Sequence, residues 1–474
     1  MSTVFYFEDI HKILSKKQTK NGLSHDTGNV KDAFPFTSSK LTRVFNESIN
    51  EIIGELVRIT NNFKEPTFTD ESDFTYSDYP LINNVVDNVE FRDDENHEVL
   101  AGFLEDFLFK NNSELKPLHL YLFNYITLLE EKKGDKKEKE KYSRFIYDLL
   151  FDNNEQISSL FSSKETNNLL TELIISSLPG LESKGHNQQY KEPKYSNTLP
   201  LLKELFIEDF LYLSKQKDYF IKHFFNIVHF YTFQYVLQFL RKSQKFGNES
   251  LQKLDSFYFT FDWETGIGGY RQAVEDYRMI KNNAHNLFVH IHCLSHLSQS
   301  KEDYRSDLKT YRAIIETLQE LSSSEQLEEK QKLIDWIKEY SNLAGQEVSN
   351  TVDEDSTFSD LFKALFSQLQ EGMSKEVCLK YGKNIDNLGK SKFLKARGKH
   401  GYILSLKQDD FLMLSAVAVK NEKIPLKEFF IELERRGMAF DQYSKKEAIQ
   451  LLEQQNYIEK KSDSGDAQYV KPIF

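Results

Sequence analysis

Residues 401–474 open with Gly401-Tyr402-Ile403-Leu404-Ser405-Leu406-Lys407-Gln408, and within them local signals agree with one another more closely than anywhere else in the chain. Ser405-Leu406-Lys407-Gln408 has the form of a capping box, in which Ser satisfies a free N–H and Gln reaches back. The run Phe411-Leu412-Met413-Leu414-Ser415-Ala416-Val417-Ala418-Val419 then predicts a buried helix. Asn421-Glu422-Lys423 breaks it, and Pro425 suits the first position of a second helix, where a missing N–H costs nothing. Leu426, Phe429, Phe430 and Leu433 mark the apolar face of that helix at spacings of three and four. Arg435 and Arg436 complement the dipole of its last turn, and Gly437 supplies a left-handed stop. Ser444-Lys445-Lys446-Glu447 forms a second capping box, with Ala448, Ile449, Leu451 and Leu452 facing inward. From Tyr457 the pattern turns extended: residues 457–461 and 467–473 flank the turn Ser462-Asp463-Ser464-Gly465-Asp466. Three helices followed by a hairpin predict a winged helix-turn-helix, closing a mainly α chain whose multi-helix body forms one or two lobes.

The same stretch resembles a known family. Tyr402-Ile403-Leu404-Ser405-Leu406, Ile424-Pro425-Leu426-Lys427-Glu428-Phe429-Phe430, Glu434-Arg435-Arg436-Gly437 and Lys461-Ser462-Asp463-Ser464-Gly465-Asp466-Ala467-Gln468-Tyr469-Val470 look like the C-terminal end of DptG. DptG is the DNA phosphorothioation-dependent restriction protein of bacterial defence islands. The resemblance implies work beside two partners, DptF and DptH, in a system that attacks DNA lacking phosphorothioate marks. It implies that helicase-like and ATPase motifs belong to those partners, and it carries no catalytic residue onto this chain.

Composition sets outer bounds. The 474 residues suffice for two or three domains. With 38 Phe and 24 Tyr but few Gly and Pro, the chain favours helices over turn-rich sheets. Two cysteines, Cys293 and Cys378, make no disulfide framework, and residues 1–14 do not read as a signal peptide, so an intracellular, cytoplasmic protein is expected. Tyr219 to Leu240 is long enough to span a membrane. It carries Lys222, His223, Asn226, His229, Gln234 and Gln238, too many polar positions for lipid, and reads as a buried helix. Net charge is −12, unevenly spread: residues 383–474 hold 17 Lys and Arg against 13 Asp and Glu, leaving the rest at −16.

Along the chain, residues 1–180 read as an N-terminal helical lobe and 200–350 as a central helical lobe with an aromatic core. Residues 357–400 read as a helical and basic connector, and 401–474 as the winged helix. The charge run Glu130 to Lys141 is expected to be a solvated helix end or hinge. The proline-bearing stretch 179–200 reads as a loop or linker.

Chemistry is hard to find. Gly266-Ile267-Gly268-Gly269 lacks both the GxxxxGK[ST] and the GxGxxG spacing, so no nucleotide site is expected. His285, His290, His292, Cys293 and His296 gather on one helix, but HExxH is absent and apolar residues alternate with them. A packed helix explains them better than a metal site. No nucleophile elbow or nuclease arrangement is visible. No cofactor and no catalytic residue are therefore expected.

The remaining lead is contact with double-stranded DNA. In a winged helix the third helix enters the major groove and the wing touches backbone or minor groove. Lys390, Lys392, Lys395, Arg397 and Lys399 form a lead-in with no acidic residue, and Lys445, Lys446, Gln450, Lys460 and Lys461 lie on the third helix and wing. Glu447 and Glu453 oppose them. The expectation is a non-catalytic scaffold and DNA-engaging subunit. The alternative is a free-standing winged-helix transcriptional regulator.

Overall fold

Lys217–Ser243 forms one helix of 27 residues. Phe220, Phe224, Ile227, Phe230, Tyr231, Phe233 and Tyr235 are all buried, as apolar side chains on most sides of an axis require. Lys222 is exposed, while polar groups deeper along this helix find partners within the protein. His229 Nε2 donates to the Leu388 carbonyl (2.7 Å), and Tyr235 Oη donates to the Ser196 carbonyl (3.0 Å). The Gln238 amide donates to the Asp255 carbonyl (2.6 Å) and accepts from the Asp255 N–H (2.8 Å). The computed structural model describes residues 3–19, 22–37, 44–68, 75–91, 95–110, 114–130, 132–185, 192–264, 270–301, 305–347, 352–398, 401–460 and 468–474. Among them no helix is long and apolar enough to cross a membrane.

The protein is mainly helical with a few small sheets, and it divides into two compact units. One comprises Val44–Pro193 and Ile207–Val228. In it Ile49–Asn61 packs on Asp135–Ile146. Gly54 allows a close approach: a Cβ there would lie 2.7 Å from Ile126. Arg58, fully buried, pairs with Glu55 (2.9 Å) and donates to the carbonyls of Asn124 and Ile126. The charge run 130–141 is not wholly solvated. Lys139 is buried, with its ammonium 2.7 Å from Glu51 and 2.7 Å from the Leu129 carbonyl. A charge that meets a carboxylate and a carbonyl can be buried where an unpaired one cannot.

The other unit comprises Met1–Arg43, Lys194–Phe206 and His229–Phe474. Here the structure corrects the reading of both capping boxes. The connector holds two helices, Phe358–Gly372 and Lys375–Gly389, and its basic end is extended: Leu394–Ala396 pairs antiparallel with Tyr402–Leu406, which pairs in parallel with Thr260–Phe261. Ser405 is thus a strand residue. The helix Gln408–Val419 starts after Lys407 with no side-chain cap. Pro425 precedes rather than begins its helix, Leu426–Arg435. The third helix, Gln442–Gln454, starts two residues before Ser444 and is capped by Asp441, whose carboxylate accepts from the N–H groups of Tyr443 (2.9 Å) and Ser444 (2.8 Å). Gly437 does adopt the left-handed conformation expected of it, at φ +79°.

Ile458–Lys460 and Gln468–Val470 pair antiparallel, and Ile424–Pro425 adds a third strand beside 468–470. Two further contacts tie this region into the unit. Met438–Ala439 pairs in parallel with Phe257–Tyr258, and the buried Ser444 hydroxyl donates to Glu264 (3.0 Å). Residues 265–269, which include Gly266 to Gly269, and the 462–466 turn lie outside the described residues, as do Lys399 and Lys461.

Candidate nucleic-acid interface

Helix 442–454 turns Ser444, Ala448, Leu451 and Leu452 inward. The 3.6-residue period then sends Tyr443, Lys446, Gln450 and Glu453 outward, with Gln454 at the edge, and all five are exposed. Lys446 and Gln450 form no side-chain hydrogen bond or ion pair among the described residues. A phenol, an ammonium and amides on one ridge can donate to phosphates and to base edges alike. Tyr443, 57% exposed, was not singled out in the sequence. The Asp441 cap, which sets the helix start, is the signal that would have placed it on this face.

The other basic residues divide by what they already touch. Lys445 leans over the Phe430 ring (5.0 Å) with its ammonium 4.0 Å from Glu434. Lys460 pairs with Glu453 (2.8 Å). Lys390 is exposed and lies over the Tyr402 ring (5.5 Å). Lys392 reaches the buried carboxylate of Asp410 (3.4 Å). Lys395 donates to the Asp262 carbonyl, and Arg397 to the Phe261 carbonyl (3.0 Å) while stacking on Tyr270 (4.6 Å). Lys395 and Arg397 thus hold residues 261–262 to the hairpin beside them, while Lys392 reaches helix 408–419. Burial pushes the Glu264 carboxyl above its usual value, opposed by the Phe261 N–H and the Ser444 hydroxyl that donate to it.

The histidine cluster lies in the core. Its helix, Asn286–Leu297, buries every residue from Val289 to Leu297. His290 Nδ1 lies 3.1 Å from the Tyr311 hydroxyl, and His292 Nδ1 donates to the Asp26 carbonyl (3.2 Å). His296 is buried with neither ring nitrogen hydrogen-bonded. Among the described residues no group of three His, Cys, Asp or Glu side chains could hold a metal ion.

Burial lowers His290 and His292 to about 3 and His25 to about 4, and lowers His296 as well. These rings are neutral in the folded protein, whereas in the unfolded chain they protonate below about pH 6.5. Their contribution is therefore fully present above that value and is lost as pH falls from it toward 3. The limiting slope is about 1.4 kcal/mol per pH unit for each histidine. Replacing His296 with Phe removes two unsatisfied buried nitrogens. It is expected to raise stability by about 1 kcal/mol at pH 7 and by more at pH 5. Urea titrations at the two pH values check this, and an equal change at both would refute the titration argument.

In comparison with known proteins, no family model matches the chain and no curated protein matches it.

Proposed function

We propose that this protein is a non-catalytic, cytoplasmic scaffold that engages double-stranded DNA through a C-terminal winged helix formed by residues 401–474. The role is the one implied by its resemblance to DptG, beside DptF- and DptH-type partners in a phosphorothioation-dependent restriction complex. The observation that carries the DNA reading is the outward ridge Tyr443-Lys446-Gln450-Glu453, with Gln454 at its edge and the Glu453 carboxylate paired with Lys460 (2.8 Å), on the helix that leads into the 458–460/468–470 hairpin. Contacts made chiefly to phosphate give affinity without sequence choice, which suits a system that must meet any foreign DNA.

The test is fluorescence anisotropy of the full chain on unrelated duplexes at several salt concentrations. Lys446→Glu is expected to weaken binding on every duplex. It should also flatten the slope of log affinity against log salt by about 0.9, the share of one phosphate. Lys445→Glu should change the slope less, because its ammonium already faces Glu434. Unchanged DNA binding together with loss of a DptF- or DptH-type partner would make the ridge a protein-docking face. Strong preference for one operator, bound by a dimer, would instead favour the free-standing regulator.

A further inference from the structure

A cavity of about 450 Å³ opens within the unit formed by Val44–Pro193 and Ile207–Val228. Four aromatic rings from four separate segments line it. Phe68 follows helix Ile49–Asn61, and Tyr79 precedes helix Pro80–Asp87. Phe109 begins the short strand Phe109–Lys110, and Tyr125 ends the 3₁₀ helix Leu120–Tyr125. Tyr79 stacks on Phe109 (3.8 Å, 18°), which leaves each ring one face turned away from the other. Phe68 and Tyr125 stand 6.4 Å apart and tilted by 45°, too open to stack. The Tyr125 hydroxyl donates to the Pro179 carbonyl (2.6 Å), so its ring is held in place. Phe68, Tyr79 and Phe109 are only half-buried, although rings of this size gain most from full burial. A space of roughly 300–1,000 Å³ with mostly apolar walls and a few polar groups is the usual form of a small-molecule site.

Charge indicates which molecule. Glu47, Glu51 and Asp78 line the cavity, and no Lys, Arg or His does. Glu51 is already balanced: it pairs with the buried Lys139 (2.7 Å) and accepts from the Leu129 N–H (2.6 Å). Glu47 and Asp78 are exposed and form no ion pair or hydrogen bond among the described residues. The starts of helices 49–61 and 80–87 also border the cavity, and each brings roughly half a positive charge. Together they offset one of the two free carboxylates, so the balance stays negative. An anion is disfavoured. A cation is drawn to the carboxylates and received by the negative faces of the rings. An ammonium whose hydrogens are replaced by alkyl groups suits such walls best, because it needs no hydrogen-bond acceptor from them.

We infer that this cavity binds a small organic cation of the alkylated ammonium class. Its head group lies among Phe68, Tyr79, Phe109 and Tyr125, and Glu47 and Asp78 offset its charge. The inference does not rest on the DNA reading, whose residues all lie in the other unit.

The test compares choline with 3,3-dimethylbutan-1-ol, which has the same shape and no charge, by ligand-observed NMR titration of the purified full chain. Choline is expected to bind about tenfold more tightly than the alcohol and to lose affinity as salt rises. Glu47→Gln/Asp78→Asn should cut that preference at least threefold with an unchanged melting temperature, since both side chains are exposed. Tyr79→Leu keeps an apolar wall but removes a ring. It should weaken choline about fivefold and leave the alcohol within twofold. Should Tyr79→Leu fail to fold, the carboxylate variant decides alone. Three results would overturn the inference: no binding of choline, equal binding of choline and the alcohol, or a preference that the carboxylate variant leaves intact.

Discussion

Replacing Phe230 with alanine is expected to cost about 3–5 kcal/mol of stability, the largest effect of any single truncation considered. Burying the ring contributes about 1.5–3 kcal/mol by transfer alone, and the rest is the cavity it leaves. Phe230 is almost fully buried, edge-on to Tyr231 (5.3 Å) and to Phe393 (6.0 Å). Phe393 is itself stacked on Phe233 (5.3 Å) and set edge-on against His229 (4.9 Å). Rings gripped on several sides cannot swing in to fill a void, which places the cost in the upper part of that range. Urea unfolding monitored by circular dichroism measures it, and the slope against urea should stay constant while the midpoint falls. A loss below about 1 kcal/mol would mean that the site collapses freely and that residues 229–243 are not the organising element of their unit.

That burial was legible from sequence because it rests on a pattern summed over many residues. Aromatics on most sides of an axis have one outcome in water, and the helical class of the chain follows from the same kind of sum. Helix starts were less legible, because they turn on single side chains with competing uses. Ser444 and Glu447 have the spacing of a capping box, yet Asp441 takes the cap and frees the Ser444 hydroxyl for Glu264, 180 residues away in sequence. Ser405 likewise precedes a helix but belongs to strand 402–406, whose parallel partner, Thr260–Phe261, no local pattern could reveal. Lys139 was read as solvated within its charge run because its partner, Glu51, lies 88 residues earlier. In the candidate interface, the sequence could name the basic residues but not what they touch. Lys446 is open, whereas Arg397 and Lys395 are committed to carbonyls of a distant segment.

The same long-range pairings predict that residues 401–474, produced alone, will not fold. In the full chain Ile403, Leu404, Leu406, Met438, Ala439 and Phe440 are buried. Much of what surrounds them comes from outside the fragment. Strand 402–406 would lose Thr260–Phe261 and Leu394–Ala396, and Met438–Ala439 would lose Phe257–Tyr258. Phe261, which stacks on Phe440 (5.0 Å) and meets Phe411 edge-on (4.9 Å), would be gone from the centre. The backbone at Gly437 would lose its neighbours, the amides of Gln234 and Gln238, which approach so closely that a Cβ there would lie 2.8–2.9 Å from them. A piece of this size draws only about 3–5 kcal/mol from a complete core, so exposing half of that core leaves nothing to offset chain entropy. The fragment should show weak helical circular dichroism and no cooperative melt, while the full chain melts cooperatively. A sharp transition of the isolated fragment with full-chain helicity per residue would defeat the prediction. If the prediction holds, the 442–454 helix is oriented by strands 257–258 and 260–261 and by Glu264. It then meets any DNA only as part of its own unit, and the salt titration of Lys446→Glu is meaningful only in the intact protein.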